Sequence, residues 1–231
     1  MTEIADSVYP KAANPMMRRP VVAPPLVDFM RDRQRALTGE TKALQDFANA
    51  HNIPVIPHET VAFFRVLLAS LKPQNILEIG TAIGFSTRLM AEICPDAQIT
   101  TLERYEEMLN YARPNLAAYK EQITLLEGDA KDILPTLPEA SYDFVFMDSA
   151  KTQYVRFLPE LLRLMTQDAL LVIDDVFQAG DVLKRPEDLP RRERNIVKGL
   201  NKLFDATLDV PELTTSLLPL GDGLLLIRKA T

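Results

Sequence analysis

Carboxylates that directly follow two apolar runs are the strongest chemical signal in the sequence. Asp148 follows residues 144–147, and the pair Asp174-Asp175 follows residues 170–173. Ligands of open α/β sheets collect at the carboxyl ends of strands, so the three carboxylates converge if these runs are neighbouring strands. Such a cluster repels itself unless a cation neutralises it, and oxygen-only ligands favour Mg²⁺ or a similar hard divalent cation. The alternative is that each aspartate caps the helix after its strand.

A lysine lies three residues after the first of these acids. Lys151 is close enough to Asp148 in sequence to face the same pocket, where it would act as a base. The alternative is a solvated surface lysine, which is the usual position of a single Lys.

The segment 76–86 indicates a ligand-binding loop. An apolar run at 76–79 breaks at Gly80 and Gly84, and a helix-favouring stretch begins at Ser86. Glycines let the backbone approach a ligand closely, and the helix that follows offers free N–H groups. The spacing G-x-x-x-G lacks the middle glycine of the G-x-G-x-x-G motif, which disfavours a nucleotide-dependent dehydrogenase and favours a ligand without phosphates. The alternative is an ordinary glycine turn of an α/β protein.

Two further acidic positions lie where apolar runs end. Glu103 follows a run about 20 residues beyond the glycines, where a carboxylate can accept both hydrogen bonds of a ribose diol. Asp129 and Ala130 follow the next run, where a short acidic turn would meet an adenine ring. Glu103 is equally consistent with a helix-capping or solvated acid, and Asp129 with a helix cap.

The elements that must position these residues follow from hydrophobic patterning. Helices are predicted at 86–93, 106–118 and 154–165 between apolar runs, which predicts a parallel sheet covered on both faces. After a polar stretch at 184–194, another helix runs to about Asp209. The runs 214–218 and 224–228 surround Gly221-Asp222-Gly223 and predict a hairpin. The predicted parallel strands are 76–79, 99–102, 123–126, 144–147 and 170–173.

The chain before the sheet divides into an arm and helices. Five prolines within residues 1–25 predict an extended arm, so the folded domain is predicted at 26–231. Two helices separated at Thr38-Gly39 are expected between Leu26 and His51, and an apolar stripe predicts a third at 58–71.

Composition limits the class of protein. The 231 residues are 47% hydrophobic, which is enough for one large α/β domain. A lone cysteine, Cys94, fits a reducing cytoplasm, and the absence of a long apolar run predicts a cytoplasmic protein that does not enter a membrane. The formal net charge of −6 argues against a protein that coats nucleic acid, although it permits a local basic patch for a structured RNA.

Taken together, the motifs resemble the class I S-adenosylmethionine-dependent O-methyltransferases. Within that class they are similar to the cation-dependent group that includes the catechol and caffeoyl-CoA enzymes. The resemblance implies a Rossmann-like α/β fold, with a mostly parallel seven-stranded sheet, helices on both faces and a C-terminal antiparallel hairpin. It extends from about Leu26 onward and is carried by LEIGTAIGFS at 77–86, FMDSAK at 146–151 with Tyr154, DDV at 174–176 and GDGL at 221–224.

The resemblance also implies roles for individual residues. The metal ligands fall on Asp148, Asp174 and Asp175, and the catalytic lysine falls on Lys151. The third ligand of the family is usually Asn, so the charge of Asp175 is a departure that either tightens cation binding or leaves this side chain pointing away. We expect contacts to S-adenosylmethionine at Ile56, Glu78, Gly80, Ser86, Glu103, Asp129, Ala130 and Asp148.

Among bacterial members, the chain is most similar to the tRNA 5-hydroxyuridine methyltransferases. This similarity predicts methylation at the tRNA wobble position, with RNA phosphate contacts from Arg191, Arg192 and Arg194. The alternative for such a basic run is a solvated helix face. Further candidate phosphate contacts are Lys198, Lys202, Arg18 and Arg19.

The resemblance leaves the acceptor open. Hydroxyuridine and a catechol both present a hydroxyl beside a second oxygen, so a small catechol-like or phenolic acyl-CoA acceptor is the alternative to tRNA. A protein that only senses S-adenosylmethionine is the non-enzymatic alternative, but such a sensor has no need for Asp148, Asp174 and Lys151 together. The resemblance further implies a homodimer.

Overall fold

The computed structural model describes residues 22–230, and seven strands of that range form one sheet. In chain order the strands are β1 (Asn75–Ile79), β2 (Gln98–Glu103), β3 (Ile123–Glu127), β4 (Tyr142–Met147), β5 (Met165–Ile173), β6 (Leu213–Leu218) and β7 (Leu224–Lys229). Their order across the sheet is β3-β2-β1-β4-β5-β7-β6. Strands β1 to β5 run parallel, and β7 and β6 add an antiparallel hairpin beside β5.

Helices cover both faces of this sheet. Within residues 22–230, no helix combines the length and the apolar character needed to cross a bilayer. The helices are α1 (Pro24–Arg33), α2 (Gly39–Ala50), α3 (His58–Leu71), α4 (Phe85–Ile93), α5 (Glu106–Leu116), α6 (Ala130–Ile133), α7 (Tyr154–Leu164) and α8 (Arg191–Thr207).

Strand β4 shows why the parallel strands read as continuous apolar runs. Successive side chains of a strand point to opposite faces of the sheet. Phe144 and Phe146 therefore enter the core on one face, where both rings meet Phe64 of α3 edge-on at centroid distances of 6.0 and 5.0 Å. Val145 and Met147 enter the core on the other face. Because helices bury both faces, neither set of positions is polar.

The predicted fold class, the strands and the closing hairpin are confirmed. The largest differences lie at three boundaries. Strand β5 begins at Met165 rather than at residue 170, so Met165 starts this strand instead of ending the helix predicted at 154–165. Helix α1 begins at Pro24, two residues before the predicted start of the folded domain, because prolines are well tolerated in the first turn of a helix. Helix α8 begins at Arg191, so the basic run that was predicted to end the polar stretch forms the first turn of the helix instead. The rest of the predicted arm, with Arg18 and Arg19, lies outside the described residues.

Helix α1 is attached to α3 by a bidentate ion pair. The Arg31 guanidinium donates from Nε and Nη2 to the two carboxylate oxygens of Glu59, at 2.8 and 2.9 Å. Glu59 is 2% exposed, so Arg31 supplies the charge that this buried carboxylate requires.

We expect Arg31→Met to lower the free energy of unfolding by roughly 1–3 kcal/mol, because it leaves the Glu59 carboxylate buried without its cation. Urea denaturation measures this loss. The matched control is Lys42→Met, which breaks the exposed ion pair with Asp46 and is expected to cost under about 1 kcal/mol. Equal losses in the two variants would show that the Arg31 pair is no stronger than an exposed one.

Candidate active site

A cavity of about 950 Å³ opens at the carboxyl ends of the parallel strands. It spans β1 and β4, where the strand order reverses, which is where ligands bind in open α/β sheets. We call one part the β2–β3 end, which is lined by Glu103, Asp129 and Ala130. The other part, the β5 end, is lined by residues that follow β4 and β5, together with α8 and the turn between β6 and β7. The lining residues used below for the β5 end are Asp148, Lys151, Asp174, Asp175, Gln178 and Asp222.

The glycine loop connects β1 to α4 along the cavity wall. Gly80 has a φ of +106°, and a Cβ at this position would lie 1.8 Å from the carbonyl oxygen of Asp148. Gly84 has a φ of +88° and caps the N-terminus of α4. The sequence analysis attributed these two glycines to close approach of the backbone to a ligand. At Gly80 the close approach is to the protein's own backbone, which fixes where the chain after β4 passes the loop.

A buried hydrogen-bond cluster supports the glycine loop from behind. The Glu78 carboxylate accepts from the hydroxyls of Ser86 and Thr101, at 2.5 and 2.6 Å, and from the hydroxyl of Thr87. Burial raises the pKa of Glu78, while these three donors act in the opposite direction. Glu78 and Ser86 are absent from the cavity wall, so the structure does not bring these two predicted cofactor contacts to the site. Their side chains instead join β1 and β2 to α4.

Glu103 ends β2 with its carboxylate fixed by backbone donors. Its two oxygens accept from the backbone N–H groups of Ala82 at 2.9 Å, Arg104 at 2.8 Å and Tyr105 at 2.8 Å. An ionised carboxylate has about four acceptor positions, so one remains after these three bonds. Glu103 is 7% exposed and lines the cavity, which suits the predicted contact with a ribose hydroxyl.

Asp129 fulfils the helix-capping alternative and also lines the cavity. Its carboxylate accepts from the backbone N–H of Lys131 at 3.0 Å and pairs with Arg104 at 3.1 Å. The backbone donor lowers the pKa of Asp129, and Arg104 and Lys131 add to that effect. Ala130 and Ile56 are buried and contribute apolar surface to the same cavity. Asp129 and Ala130, the predicted contacts with the adenine ring, therefore line the same end of the cavity as Glu103. Ile56 lines the cavity from the segment before α3.

The two aspartates at the strand ends are neighbours, as the sequence predicted. Strands β4 and β5 pair in parallel, and the backbone N–H of Asp174 donates to the carbonyl of Met147 at 3.0 Å. Burial and the Asp175 charge raise the pKa of Asp148 to about 7. Burial and the charges of Asp175 and Asp148 raise the pKa of Asp174 well above its usual value. The three carboxylates therefore form a cluster of like charges, which a bound cation would neutralise.

The donor chemistry of this cluster fits a hard divalent cation, although its arrangement is incomplete. Within residues 22–230, no three His, Cys, Asp or Glu side chains are grouped so that they would hold a metal ion. The Asp175 carboxylate pairs with the Lys151 ammonium at 3.1 Å. Asp148 and Asp174 are the carboxylates whose charge a cation would balance.

Lys151 is held among three partners at the β5 end. It lies in a short 3₁₀ turn after β4, and its side chain is only 13% exposed. Besides Asp175, its Nζ donates to Oε1 of Gln178 at 2.7 Å and lies 3.6 Å from Oδ2 of Asp222. The solvated-lysine alternative is therefore wrong.

The described chain matches known proteins over most of its length. The O-methyltransferase family profile matches residues 38–230. The chain belongs to the O-methyltransferase family. A catechol O-methyltransferase of Mycobacterium tuberculosis is 32% identical over 173 residues, covering 71% of this chain and 78% of that protein. Caffeoyl-CoA O-methyltransferase 1 of Eucalyptus globulus is 30% identical over 202 residues, covering 81% and 80% respectively.

A solved structure extends the similarity to the fold. The Podospora anserina methyltransferase PaMTH1, crystallised with S-adenosylhomocysteine, superimposes with a TM-score of 0.80 at 23% identity, covering 90% of this chain and 94% of that chain. Membership of this family confirms the predicted enzyme class, an O-methyltransferase.

The basic run of the methyltransferase separates into different environments. Arg192 is exposed and lines the cavity, whereas Arg191 is exposed outside it. Arg194 is partly buried, and its Nη2 donates to the carbonyls of Glu187 at 3.2 Å and Leu189 at 3.1 Å. A phosphate contact would require an outward-facing side chain, whereas Arg194 holds the loop before α8.

Sequence reasoning missed two polar residues of this methyltransferase site. Gln178 and Asp222 both line the cavity and contact Lys151, but neither was predicted as a site residue. Gln178 carries no local signal, since it lies in an irregular turn after β5. Asp222 does carry one, because an acid between two glycines in a hairpin turn is placed where its backbone can approach other segments closely.

Proposed function

We propose that this enzyme transfers the methyl group of S-adenosylmethionine to one hydroxyl of a small catechol-like acceptor. The observation that carries the proposal is the convergence of Lys151 with Asp148, Asp174 and Asp175 at the β5 end of the cavity. The site thereby combines a cationic side chain with oxygen donors suited to a divalent cation. A sensor of the cofactor would not need this combination.

The β2–β3 end of the cavity would bind the cofactor, and the β5 end would bind the acceptor. At the β2–β3 end, Glu103 would accept from the ribose, and Ala130 would contact the adenine ring. Gly80 leaves space for the chain after β4 to bring Asp148 beside the cofactor. A cofactor held there would supply its methyl group to an acceptor at the β5 end, and catalysis would consist largely of positioning donor and acceptor.

At the β5 end, Asp148 and Asp174 would hold a divalent cation, and Asp175 would join them on leaving Lys151. Bound Mg²⁺ would supply Lewis-acid polarisation of the acceptor's two adjacent oxygens. As a neutral amine, Lys151 would take the proton of the reacting hydroxyl, and as an ammonium it would stabilise the oxyanion that remains. Tyr154 supports this arrangement from beneath, because its hydroxyl donates to the Asp174 carbonyl at 3.2 Å and accepts from the Ser149 N–H at 3.3 Å.

The relatives support a small acceptor. The proteins similar to this chain carry the names catechol and caffeoyl-CoA O-methyltransferase, which favours an ortho-dihydroxy aromatic compound, free or as an acyl-CoA ester. Of the three arginines predicted to contact tRNA phosphates, Arg194 is engaged within its own chain. Methylation of 5-hydroxyuridine in tRNA remains the competing prediction.

Methyl transfer from labelled S-adenosylmethionine tests both acceptors in parallel. We expect labelling of catechol or caffeoyl-CoA with Mg²⁺, and a decrease of about 100-fold or more with chelator, because the carboxylate cluster needs its cation. Addition of excess Mg²⁺ to the chelated enzyme should restore the rate.

The other outcomes separate the alternatives. Chelator-sensitive and salt-sensitive labelling of tRNA without labelling of catechols would replace the proposed acceptor by RNA. Cofactor binding by calorimetry without transfer to any acceptor would favour the sensor. Undiminished transfer in chelator would contradict the metal assignment alone.

A further inference from the structure

The turn between β6 and β7 brings a buried carboxylate to the amine of Lys151. The Asp222 side chain is 3% exposed, and its Oδ2 lies 3.6 Å from Nζ of Lys151. Asp175, the other carboxylate beside this amine, is 42% exposed. A charge pair inside the protein is screened less by water than one at the surface, so Asp222 is the partner better able to fix the amine in place.

The position of Asp222 is itself fixed by close packing of its turn. A Cβ on Gly221 would lie 2.9 Å from Cγ of Pro57, and one on Gly223 would lie 2.2 Å from Cδ2 of Phe177. The backbone N–H of Phe177 donates to the Asp222 carbonyl at 2.8 Å, and that of Val176 donates to the Gly223 carbonyl at 3.1 Å. The turn is therefore wedged between the chain before α3 and the chain after β5.

Asp222 also holds the segment that carries the other Lys151 partners. Its Oδ1 accepts from the backbone N–H of Ala179 at 2.6 Å. Ala179 has a φ of +53°, and Asp175 and Gln178 have φ values of +60° and +49°. Non-glycine residues rarely adopt this left-handed conformation, and several in one short segment require contacts that hold them there. The Ala179–Asp222 bond is such a contact.

We propose that Asp222 is a positioning residue for Lys151, an inference that rests on the proposed function. Asp222 acts in two ways, by an ion pair to the amine and by a hydrogen bond to the 175–180 segment. The ion pair matters most when Asp175 turns toward a cation, because Asp222 and Gln178 then remain as the partners that keep the amine beside the acceptor. Asp222 itself need not touch the acceptor.

Asp222→Asn separates these two actions. An asparagine oxygen still accepts from Ala179, but the negative charge beside Lys151 is lost. We expect kcat for the catechol acceptor to fall about 10- to 100-fold, since small misplacements of a catalytic group have effects of this size. The KM for S-adenosylmethionine and the melting temperature should stay close to wild type. Asp222→Ala, which removes both contacts, should lower kcat and the melting temperature together.

A second measurement reads the placement of Lys151 without methyl transfer. Competitive acylation of lysine amines, followed by mass spectrometry, should label Lys151 several times faster in Asp222→Asn than in wild type. Lys120, which is 79% exposed, provides the internal reference. The matched control variant is Asp168→Asn, which changes an 88% exposed carboxylate and should alter neither kcat nor the labelling of Lys151.

The outcomes distinguish this inference from the proposed function. Unchanged kcat and unchanged labelling in Asp222→Asn would overturn the positioning role, as would a parallel loss of kcat, cofactor affinity and melting temperature, which indicates a purely structural role. If wild-type enzyme transferred no methyl group to any acceptor, the proposed function would fail, while the acylation rates would still confirm or overturn the placement of Lys151 by Asp222.

Discussion

Replacement of Lys151 by methionine is expected to lower kcat by about 10²- to 10⁴-fold, which is the usual contribution of a proton-transferring side chain. Methionine keeps much of the apolar length but removes the amine that Asp175, Gln178 and Asp222 hold at 3.1, 2.7 and 3.6 Å. The contacts at the β2–β3 end of the cavity do not involve this side chain. Affinity for S-adenosylmethionine should therefore be retained, as calorimetry can establish.

The control for this variant is Lys120→Met, which removes an amine that is 79% exposed. It should leave both kcat and cofactor affinity unchanged. Wild-type turnover in Lys151→Met would remove this lysine from the catalytic machinery. Loss of cofactor affinity in Lys151→Met would point instead to a disturbed site, in which case the fall in kcat could not be assigned to the amine.

Replacement of Gly80 by alanine is expected to lower the free energy of unfolding by at least about 3 kcal/mol and to abolish cofactor binding. The added Cβ would lie 1.8 Å from the Asp148 carbonyl oxygen, and the φ of +106° is unfavourable for any residue other than glycine. Relief of the clash requires β1 and the chain after β4 to separate. That movement displaces Asp148 from the cavity wall.

Gly39→Ala separates conformational strain from the clash. Gly39 also has a positive φ, of +63°, but a Cβ there would have no neighbour within 4 Å. This variant should cost only about 1–2 kcal/mol in urea denaturation and should bind S-adenosylmethionine normally. Equal losses in the two alanine variants would show that contact with Asp148 does not determine the requirement for glycine at position 80.

The parallel half of the fold could be predicted because its signals are local. Residues 144–147 of β4 are continuously apolar since both faces of the strand are buried there, and the next strand follows after a single crossover helix, α7. Neighbouring parallel strands end at the same edge of a sheet, so Asp148 and Asp174 could be placed together from spacing alone. The same reasoning placed Glu103 at this edge, at the end of β2.

Contacts between distant segments could not be predicted in this way. Glu78 lies in the strand that leads into the glycine loop and was expected to contact the cofactor, but three hydroxyls from β2 and α4 enclose its carboxylate. Gln178 and Asp222 meet Lys151 only because the hairpin packs against the segment after β5. No pattern of local hydrophobicity encodes that packing, because it depends on the relative positions of three segments: the turn after β4, the segment after β5 and the turn between β6 and β7.

The division of the cavity between its two ends has an evolutionary consequence. The β2–β3 end is built from consecutive strands and their turns, whereas α8 and the β6–β7 turn, from the last part of the chain, contribute to the β5 end. Mutations in α8 can therefore accumulate while the strands that form the β2–β3 end stay intact. After gene duplication, one copy can keep its methyl-donor site unchanged and acquire a new acceptor through substitutions in α8. The α8 residues that line the cavity are natural positions for such divergence and for directed evolution of substrate range: Arg192, Glu193 and Ile196.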